Sequence, residues 1–305
     1  MKPLSKIWMD GKFVNWNDAK IHVLTHGLHY GTAIFEGMRC YETANGPAIF
    51  RMTDHYKRLY RGAKSYQFRI NHTLGQLISA TKELVKKNKV KKCYLRPICY
   101  AGYSSIGLNI LDKEFNFAII PIDFAKYFGK KAELGVSCTI SSWRRISANI
   151  LSPHVKASAN YLNSALAKAD ALNAGYDEAI MLSQDGHVSE ATGENIFVYR
   201  DGELVTPPLH DGVLAGVTRE TLFHLAMEMG IPVRERSILR DELYTAEEMF
   251  LCGTACEIAP VLDIDKREIG DGKGPGEITK KIRQMYFDVV TGKDERFVKW
   301  LDFVD

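Results

Sequence analysis

The chain has 305 residues, 46% of them hydrophobic and 25% charged, with a formal net charge of +3 at pH 7. That length allows two domains with full cores, and that composition excludes a disordered chain. The small charge, with basic and acidic residues interspersed, argues against a nucleic-acid partner; the apolar runs are too short to span a membrane, and Met1 to Asp10 lacks a secretory signal's apolar core, so the expected location is cytoplasmic.

The first elements are short strands joined by turns. I-W-M-D-G-K-F-V carries the hairpin signal Asp10-Gly11, and C-Y-E-T-A-N-G-P-A-I-F carries Asn45-Gly46. A helix beginning near Asp54 includes Tyr56, Leu59, Tyr60 and Ala63. A second starts at Thr73, where Thr73 and Gln76 have capping-box spacing and Leu74, Leu77, Ile78, Thr81, Leu84 and Val85 form an apolar stripe. The basic run Lys86 to Lys92 suits the negative end of that helix. Strands resume at C-Y-L-R-P-I-C-Y from Cys93 and F-N-F-A-I-I-P-I from Phe115. After Pro121 the periodicity is lost, so residues 124–135 are expected to link a small N-terminal domain, 1–123, to a larger C-terminal one, 136–305.

The second half starts with a strand over Val136 to Ser141. A helix then carries Leu162, Ala165, Leu166, Ala169 and Leu172 at three- and four-residue spacing, expected to be its apolar face, with Gly175 as its stop. Asp185-Gly186 and Asp201-Gly202 mark two more hairpins. A further helix has Thr218 at its start and Gly230 with Pro232 at its stop. Irregular alternation of strands and helices with many hairpins predicts an α+β fold of two domains.

Lys156 is the first candidate for chemistry. It lies in S-P-H-V-K-A-S-A-N-Y-L-N-S, between a valine and small residues at a helix entrance. A lone lysine is ordinarily a solvated surface residue, yet small neighbours leave room for a bulky group, and a lysine fixed in a dry place is a Schiff-base nucleophile. If its partner were pyridoxal phosphate, the chain would have to bind a phosphate dianion and keep a pyridine nitrogen protonated. Gly216, Val217 and Thr218 open a helix, where backbone N–H groups favour anions, and Gly253, Thr254 and Ala255 offer a second small-residue turn. Glu190, in V-S-E-A-T-G-E-N-I-F, is a carboxylate suited to a pyridinium. Duller accounts exist for each: Thr218 as a helix cap, Glu190 facing water at a hairpin. The six cysteines form no C-x-x-C pair, and His22, His26 and His29 have no carboxylate among them, so no metal is expected.

Seven motifs then fall in one order: H-G-L-H-Y-G-T-A-I-F-E-G-M-R-C-Y from His26, H-Y-K-R-L containing Arg58, C-Y-L-R-P from Cys93, K-A-S-A-N-Y-L-N-S from Lys156, S-E-A-T-G-E-N-I-F from Ser189, G-V-T-R from Gly216 and G-T-A-C-E-I from Gly253. Across nearly its whole length the sequence resembles the class IV, fold-type IV pyridoxal-phosphate aminotransferases, specifically the branched-chain amino-acid aminotransferases. The resemblance implies the two-domain fold-type IV architecture of the D-amino-acid aminotransferase-like enzymes, with cofactor in the larger domain. It implies that Lys156 forms the Schiff base and shuttles a proton, that Glu190 pairs with the pyridine nitrogen, and that Tyr161 bonds the ring hydroxyl. Arg58, with Gly216, Val217, Thr218 and Thr254, would hold the phosphate. The substrate carboxylate would meet the turn Thr254, Ala255 and Cys256, with Tyr94 and Arg96 nearby.

Tyr30, Phe35, Phe124, Tyr127 and Tyr161 would line the side-chain pocket, and Arg96 or Arg39 would receive the second carboxylate of glutamate. Tyr94 and Arg96, two apart in a strand, share a face. The implied reaction joins leucine, isoleucine or valine to 2-oxoglutarate, in a homodimer or dimer-based hexamer. Two departures stand out: Ser158 and Ala159 where the family pattern reads A-G-G-N-Y, and Cys256 where alanine is usual. The alternatives are a D-amino-acid aminotransferase or aminodeoxychorismate lyase on the same fold, and, from other classes, a cofactor-free binding protein or a metal-dependent hydrolase.

Overall fold

In the computed structural model, which describes residues 2–124 and 127–304, the chain opens on strands β1 (Lys2–Pro3), β2 (Lys6–Met9) and β3 (Lys12–Asn15). Asp10 and Gly11 have φ of 45° and 86°, the two positive values that a type I′ hairpin needs, and they join β2 to β3. A short helix α1 (His26–Tyr30) precedes β4 (Ala33–Phe35), β5 (Met38–Thr43) and β6 (Gly46–Phe50). Helix α2 (Met52–Ser65) follows, then α3 (Leu74–Asn88), which starts with the full capping box of Thr73 and Gln76. Strands β7 (Cys93–Ala101) and β8 (Phe115–Asp123) pair from Tyr94 with Ile122 to Ala101 with Phe115.

These strands and a C-terminal one, Leu301–Phe303, form a nine-stranded sheet whose pairings are all antiparallel. Helices α2 and α3 contribute Met52, Tyr56, Leu59, Leu77 and Leu84 to a core shared with Trp8, Ile34, Met38, Leu95 and Ile119. The expected stripe on α3 is present: Leu77, Thr81, Leu84 and Val85 are buried, and Leu74 and Ile78 pack at its margin.

The second part begins with α4 (Lys131–Leu134), β9 (Val136–Ile140), α5 (Tyr161–Asn173), β10 (Glu178–Leu182) and β11 (Val188–Ala191). It continues with β12 (Asn195–Arg200), β13 (Glu203–Thr206), α6 (Val217–Glu228), β14 (Val233–Glu235), α7 (Arg240–Leu243), β15 (Glu248–Gly253), β16 (Glu257–Ile264), β17 (Arg267–Glu268) and α8 (Glu277–Val290). Its sheet is mixed, in the order β11-β10-β9-β16-β15-β12-β13-β14, with β9 parallel to both β10 and β16. Val136, Ile180, Ile196, Leu251 and Ala259 are at its core.

One correction concerns α5. The expected apolar face points outward, with Leu162 67% and Leu172 56% exposed, while Ser164, Ala167 and Ala171 are buried. Both sets have helical spacing, and the small set wins for a steric reason. Ala167 and Ala171 pack with Ala179 and Met181 of β10, and Ser164 receives a hydrogen bond from Arg145.

The chain divides into two units, one of Met1–Ala125, Val155–Ala159 and Asp288–Asp305, the other of Lys126–His154 and Asn160–Phe287. A continuous second domain from 136 to 305 differs from this division at two places. Leu301–Phe303 pairs with β6, so the C-terminus joins the first unit, and Ala157 bridges Ile34 of β4, which draws in the Lys156 segment. Residues 125 and 126 of the expected connection lie outside the described residues.

Candidate active site

In the first unit, the Lys156 segment runs antiparallel to β4: Phe35 donates its backbone N–H to the Lys156 carbonyl at 3.0 Å, and Ala157 faces Ile34. The Lys156 Nζ stands 5.3 Å from the Phe35 ring centroid. Two glycines make room for the segment. A Cβ on Gly31, whose φ is +67°, would lie 3.0 Å from the Ala159 Cβ, and one on Gly62 of α2 would lie 3.1 Å from Val155. The Ala159 methyl, one of the departures from the family pattern, thus packs on a glycine.

Arg58 lies on α2 and is clamped by Glu36, with Nε donating to Oε1 at 2.6 Å and the second terminal nitrogen to Oε2 at 2.8 Å. His55, one turn earlier, has its Nδ1 2.8 Å from Glu36 Oε2. Burial alone would raise the Glu36 pKa, but Arg58 and His55 outweigh it and hold the carboxyl well below its usual range. Burial holds the His55 imidazole below its ordinary value, with Arg58 and Lys156 adding to the same direction against the pull of Glu36.

Phe35, Arg39, Tyr94, Arg96 and Phe124 come together in the same unit. The Arg96 guanidinium carbon is 4.6 Å from the Phe35 centroid and 5.3 Å from that of Tyr94, and a terminal Arg96 nitrogen donates to the Tyr94 hydroxyl at 3.0 Å. Tyr94 and Phe124 have centroids 5.2 Å apart, and Arg39, paired with Tyr94 across β5 and β7, lies over Phe124 at 5.4 Å. The shared face of Tyr94 and Arg96 is as the strand spacing requires. Tyr30, on α1, has its ring against His26, 4.4 Å between centroids. His26 itself bonds Thr32 Oγ1 and the Gly107 carbonyl, each at 2.7 Å, which accounts for it as a structural histidine.

In the second unit, Glu190 on β11 is buried and does not face water. Its carboxylate takes an ion pair from Arg145 at 2.6 Å and hydrogen bonds from Asn195 Nδ2 at 2.9 Å and the Leu214 N–H at 3.0 Å. Asn195 also governs the start of α6: a Cβ on Gly216 would lie 2.0 Å from its Oδ1. Gly216, not Thr218, is the N-cap, and among the described residues no side chain caps α6. Val217 and Thr218 are buried in its first turn.

Thr254, Ala255 and Cys256 form the three-residue turn between β15 and β16, closed by the pair Gly253 and Glu257. Glu257 holds a left-handed φ of 61°, unusual for a residue with a Cβ. The Cys256 side chain is buried with Ala259 and Leu251, so its thiol belongs to the core, and burial raises its pKa. Tyr161 opens α5, and Tyr127 lies beneath the Lys168 ammonium, 5.7 Å from its ring centroid.

Four residues had no role in the sequence reading: Glu36, His55, Arg145 and Glu194. Glu194 is buried beside Glu178, and burial together with that like charge pushes its carboxyl up to about 8. A signal for Glu36 was present, an acid inside the apolar stretch A-I-F-E-G-M; Arg145, in S-W-R-R-I, had none.

The family model "Amino-transferase class IV" matches residues 33–264, and the chain belongs to that family. Similar relatives within it include branched-chain-amino-acid aminotransferases. The chain is 40% identical over 306 aligned positions to that of Escherichia coli K12, covering 100% of this chain and 99% of the relative. The crystal structure of the Escherichia coli enzyme superposes with a TM-score of 0.97 at 40% identity, over 99% of this chain and all of the other. A branched-chain amino acid aminotransferase from Thermobaculum terrenum, solved in its PLP-form, gives 0.92 at 34% identity, over the full length of both chains.

Proposed function

We propose that this chain catalyses the reversible, pyridoxal-phosphate-dependent transfer of an amino group between L-leucine, L-isoleucine or L-valine and 2-oxoglutarate. One observation carries the reading: Lys156 lies against Phe35 in the same unit as a clamped Arg58, in a chain 40% identical end to end to a branched-chain-amino-acid aminotransferase. The donor sets fit the cofactor. A buried carboxylate held by three donors suits a ring nitrogen, and a helix start with a glycine cap suits a phosphate.

When bound, pyridoxal phosphate supplies an aldehyde for the amine and a protonated ring that draws electrons from the substrate α-carbon. Lys156 would hold the cofactor through its Nζ and, once the substrate amine has taken its place, would serve as the base that moves a proton at the substrate α-carbon. Glu190 would pair with the ring nitrogen, and Arg145 holds the Glu190 carboxylate in place for that task. Arg58, Gly216, Val217, Thr218 and Thr254 would hold the phosphate, and Tyr161 would bond the ring hydroxyl. The substrate carboxylate meets the turn Thr254, Ala255 and Cys256, with Tyr94 and Arg96 beside it. Tyr30, Phe35, Phe124, Tyr127 and Tyr161 receive the branched side chain, and Arg96 or Arg39 takes the second carboxylate of glutamate. Arg96 Nε is buried and, among the described residues, lacks a hydrogen-bond partner, as a donor reserved for an incoming anion would be.

A homodimer, or dimers assembled into a hexamer, belongs to the same reading. Its support is exposed apolar surface in the first unit, with Val23 67%, Ile106 72% and Leu108 78% exposed. The reading places the chain in the cytoplasm, which suits six free, buried cysteines. The test is the visible spectrum of the pyridoxal-phosphate-loaded protein with an amino acid and no oxo acid. L-Leucine should bleach the yellow band, and Lys156→Ala should lack both band and turnover. Bleaching by D-alanine but not L-leucine would move the reading to a D-amino-acid aminotransferase.

A further inference from the structure

A guanidinium on a flexible stem binds phosphate well only if its plane is fixed beforehand, since its donors form a rigid fork. Arg58 has such a fixture. Glu36 takes Nε and one terminal nitrogen at 2.6 and 2.8 Å, and the Glu36 side chain is fully buried. Its Oε2 also accepts from the Gly37 N–H at 3.1 Å and is 2.8 Å from His55 Nδ1. An ionised carboxylate only accepts, so Nδ1 of the neutral imidazole carries the proton and donates it.

Glu36 also sits at a junction. Its neighbour Phe35 bonds the Lys156 carbonyl, its own N–H bonds the Pro97 carbonyl at 2.8 Å, and a Cβ on its other neighbour, Gly37, would lie 2.0 Å from the Tyr94 hydroxyl. The carboxylate is therefore held from both sides along the chain and cannot follow Arg58 if the arginine drifts. An ion pair with a fully buried carboxylate and a guanidinium only 12% exposed is a poor source of stability compared with apolar packing, so this network is better explained by the direction it gives the arginine.

We infer that Glu36 and His55 are positioning residues that pre-set the Arg58 guanidinium for the cofactor phosphate. The inference rests on the reading that Arg58 serves that phosphate. It makes an uncommon prediction of sign. Charge alone says that removing Glu36 leaves the site more positive and tightens phosphate binding; orientation says that binding weakens.

The experiment measures dissociation constants for pyridoxal 5'-phosphate and for pyridoxal, which lacks the phosphate, by absorbance and protein-fluorescence titration. The proteins are the wild type, Glu36→Gln, His55→Leu, His55→Asn and Arg58→Lys. Glu36→Gln should weaken pyridoxal phosphate about ten-fold or more while leaving pyridoxal within about two-fold, the loss expected for a misdirected charge-assisted bond. His55→Leu should do the same to a lesser degree, and His55→Asn, which keeps a donor near Nδ1, should restore most of the affinity. Unchanged or tighter binding by Glu36→Gln, or equal weakening of both ligands, overturns the inference. If Glu36→Gln does not fold, the two His55 variants decide: equal affinities for the phosphate form overturn it. An Arg58→Lys protein that binds pyridoxal phosphate as the wild type does removes the underlying reading, an outcome separate from the others.

Discussion

Replacing Arg145 with methionine isolates the buried ion pair that Glu190 makes inside the protein. Both side chains are buried, 7% and 6% exposed, with a nitrogen–oxygen distance of 2.6 Å. Methionine fills most of the arginine stem's volume, so the cavity contribution is small. What remains is a buried carboxylate that keeps the Asn195 and Leu214 donors but has lost its counter-charge, and removal of one partner of a buried pair costs about 3–5 kcal/mol. Arg145 also donates to Ser164 Oγ at 3.2 Å and to the Gly212 carbonyl at 3.3 Å, weak bonds lying inside that range. At about 2 °C per kcal/mol for a chain of this size, the expected fall in Tm is about 6–10 °C for the cofactor-free protein at pH 7. Heat and urea unfolding of the wild type, Arg145→Met, Glu190→Gln and the double variant supply the cycle. Neutralising Glu190 in the methionine background should recover a large part of the loss, because the uncompensated charge is then gone. A methionine variant within about 1 kcal/mol of wild type, or a double variant as unstable as the two losses added, would refute this account of Glu190.

The other predictions concern Glu194 and Gly37. Glu194 has its carboxyl raised from 4.5 to about 8, so its contribution to stability is complete below pH 4.5 and is lost as pH rises through 8. Glu194→Gln should flatten that decline, making the variant relatively more stable at pH 8 than at pH 5; parallel profiles for the two proteins would show that Glu194 titrates normally. Gly37→Ala puts a methyl 2.0 Å from the Tyr94 hydroxyl, which must swing away from Arg96, an overpacking of about 1–3 kcal/mol. The expected effect is a KM for leucine raised about ten-fold with the bound-cofactor absorbance retained, and an unchanged KM would take Tyr94 out of substrate binding.

The parts of the structure legible in the sequence were those set by local chemistry. Thr73 with Gln76 fixed the start of a helix because both side chains answer unpaired N–H groups within one turn, and Asp10-Gly11 fixed a hairpin because few other residues accept two positive φ values in succession. Helix α5 was legible in position but not in rotation. Its leucines and its small residues both recur at helical spacing, and close approach to β10, with a hydrogen bond to Arg145, favours alanine and serine on the inner face. Hydrophobicity alone ranks those faces the wrong way round.

The site divides by the same criterion. Lys156, Glu190 and the Gly216 turn were singled out because each lies in a short stretch whose neighbours are small or apolar, a local signature of a group withdrawn from solvent. Glu36, His55 and Arg145 were not found, because what defines them is a partner far away in the chain. Glu36 meets Arg58 across 22 residues, and Arg145 meets Glu190 across 45, with no spacing rule connecting them. A buried arginine announces itself in a sequence only when its carboxylate partner is local. When the compensation comes through the tertiary fold, as in both of these pairs, the acid is visible as an oddity inside an apolar run while its arginine passes for one more surface cation.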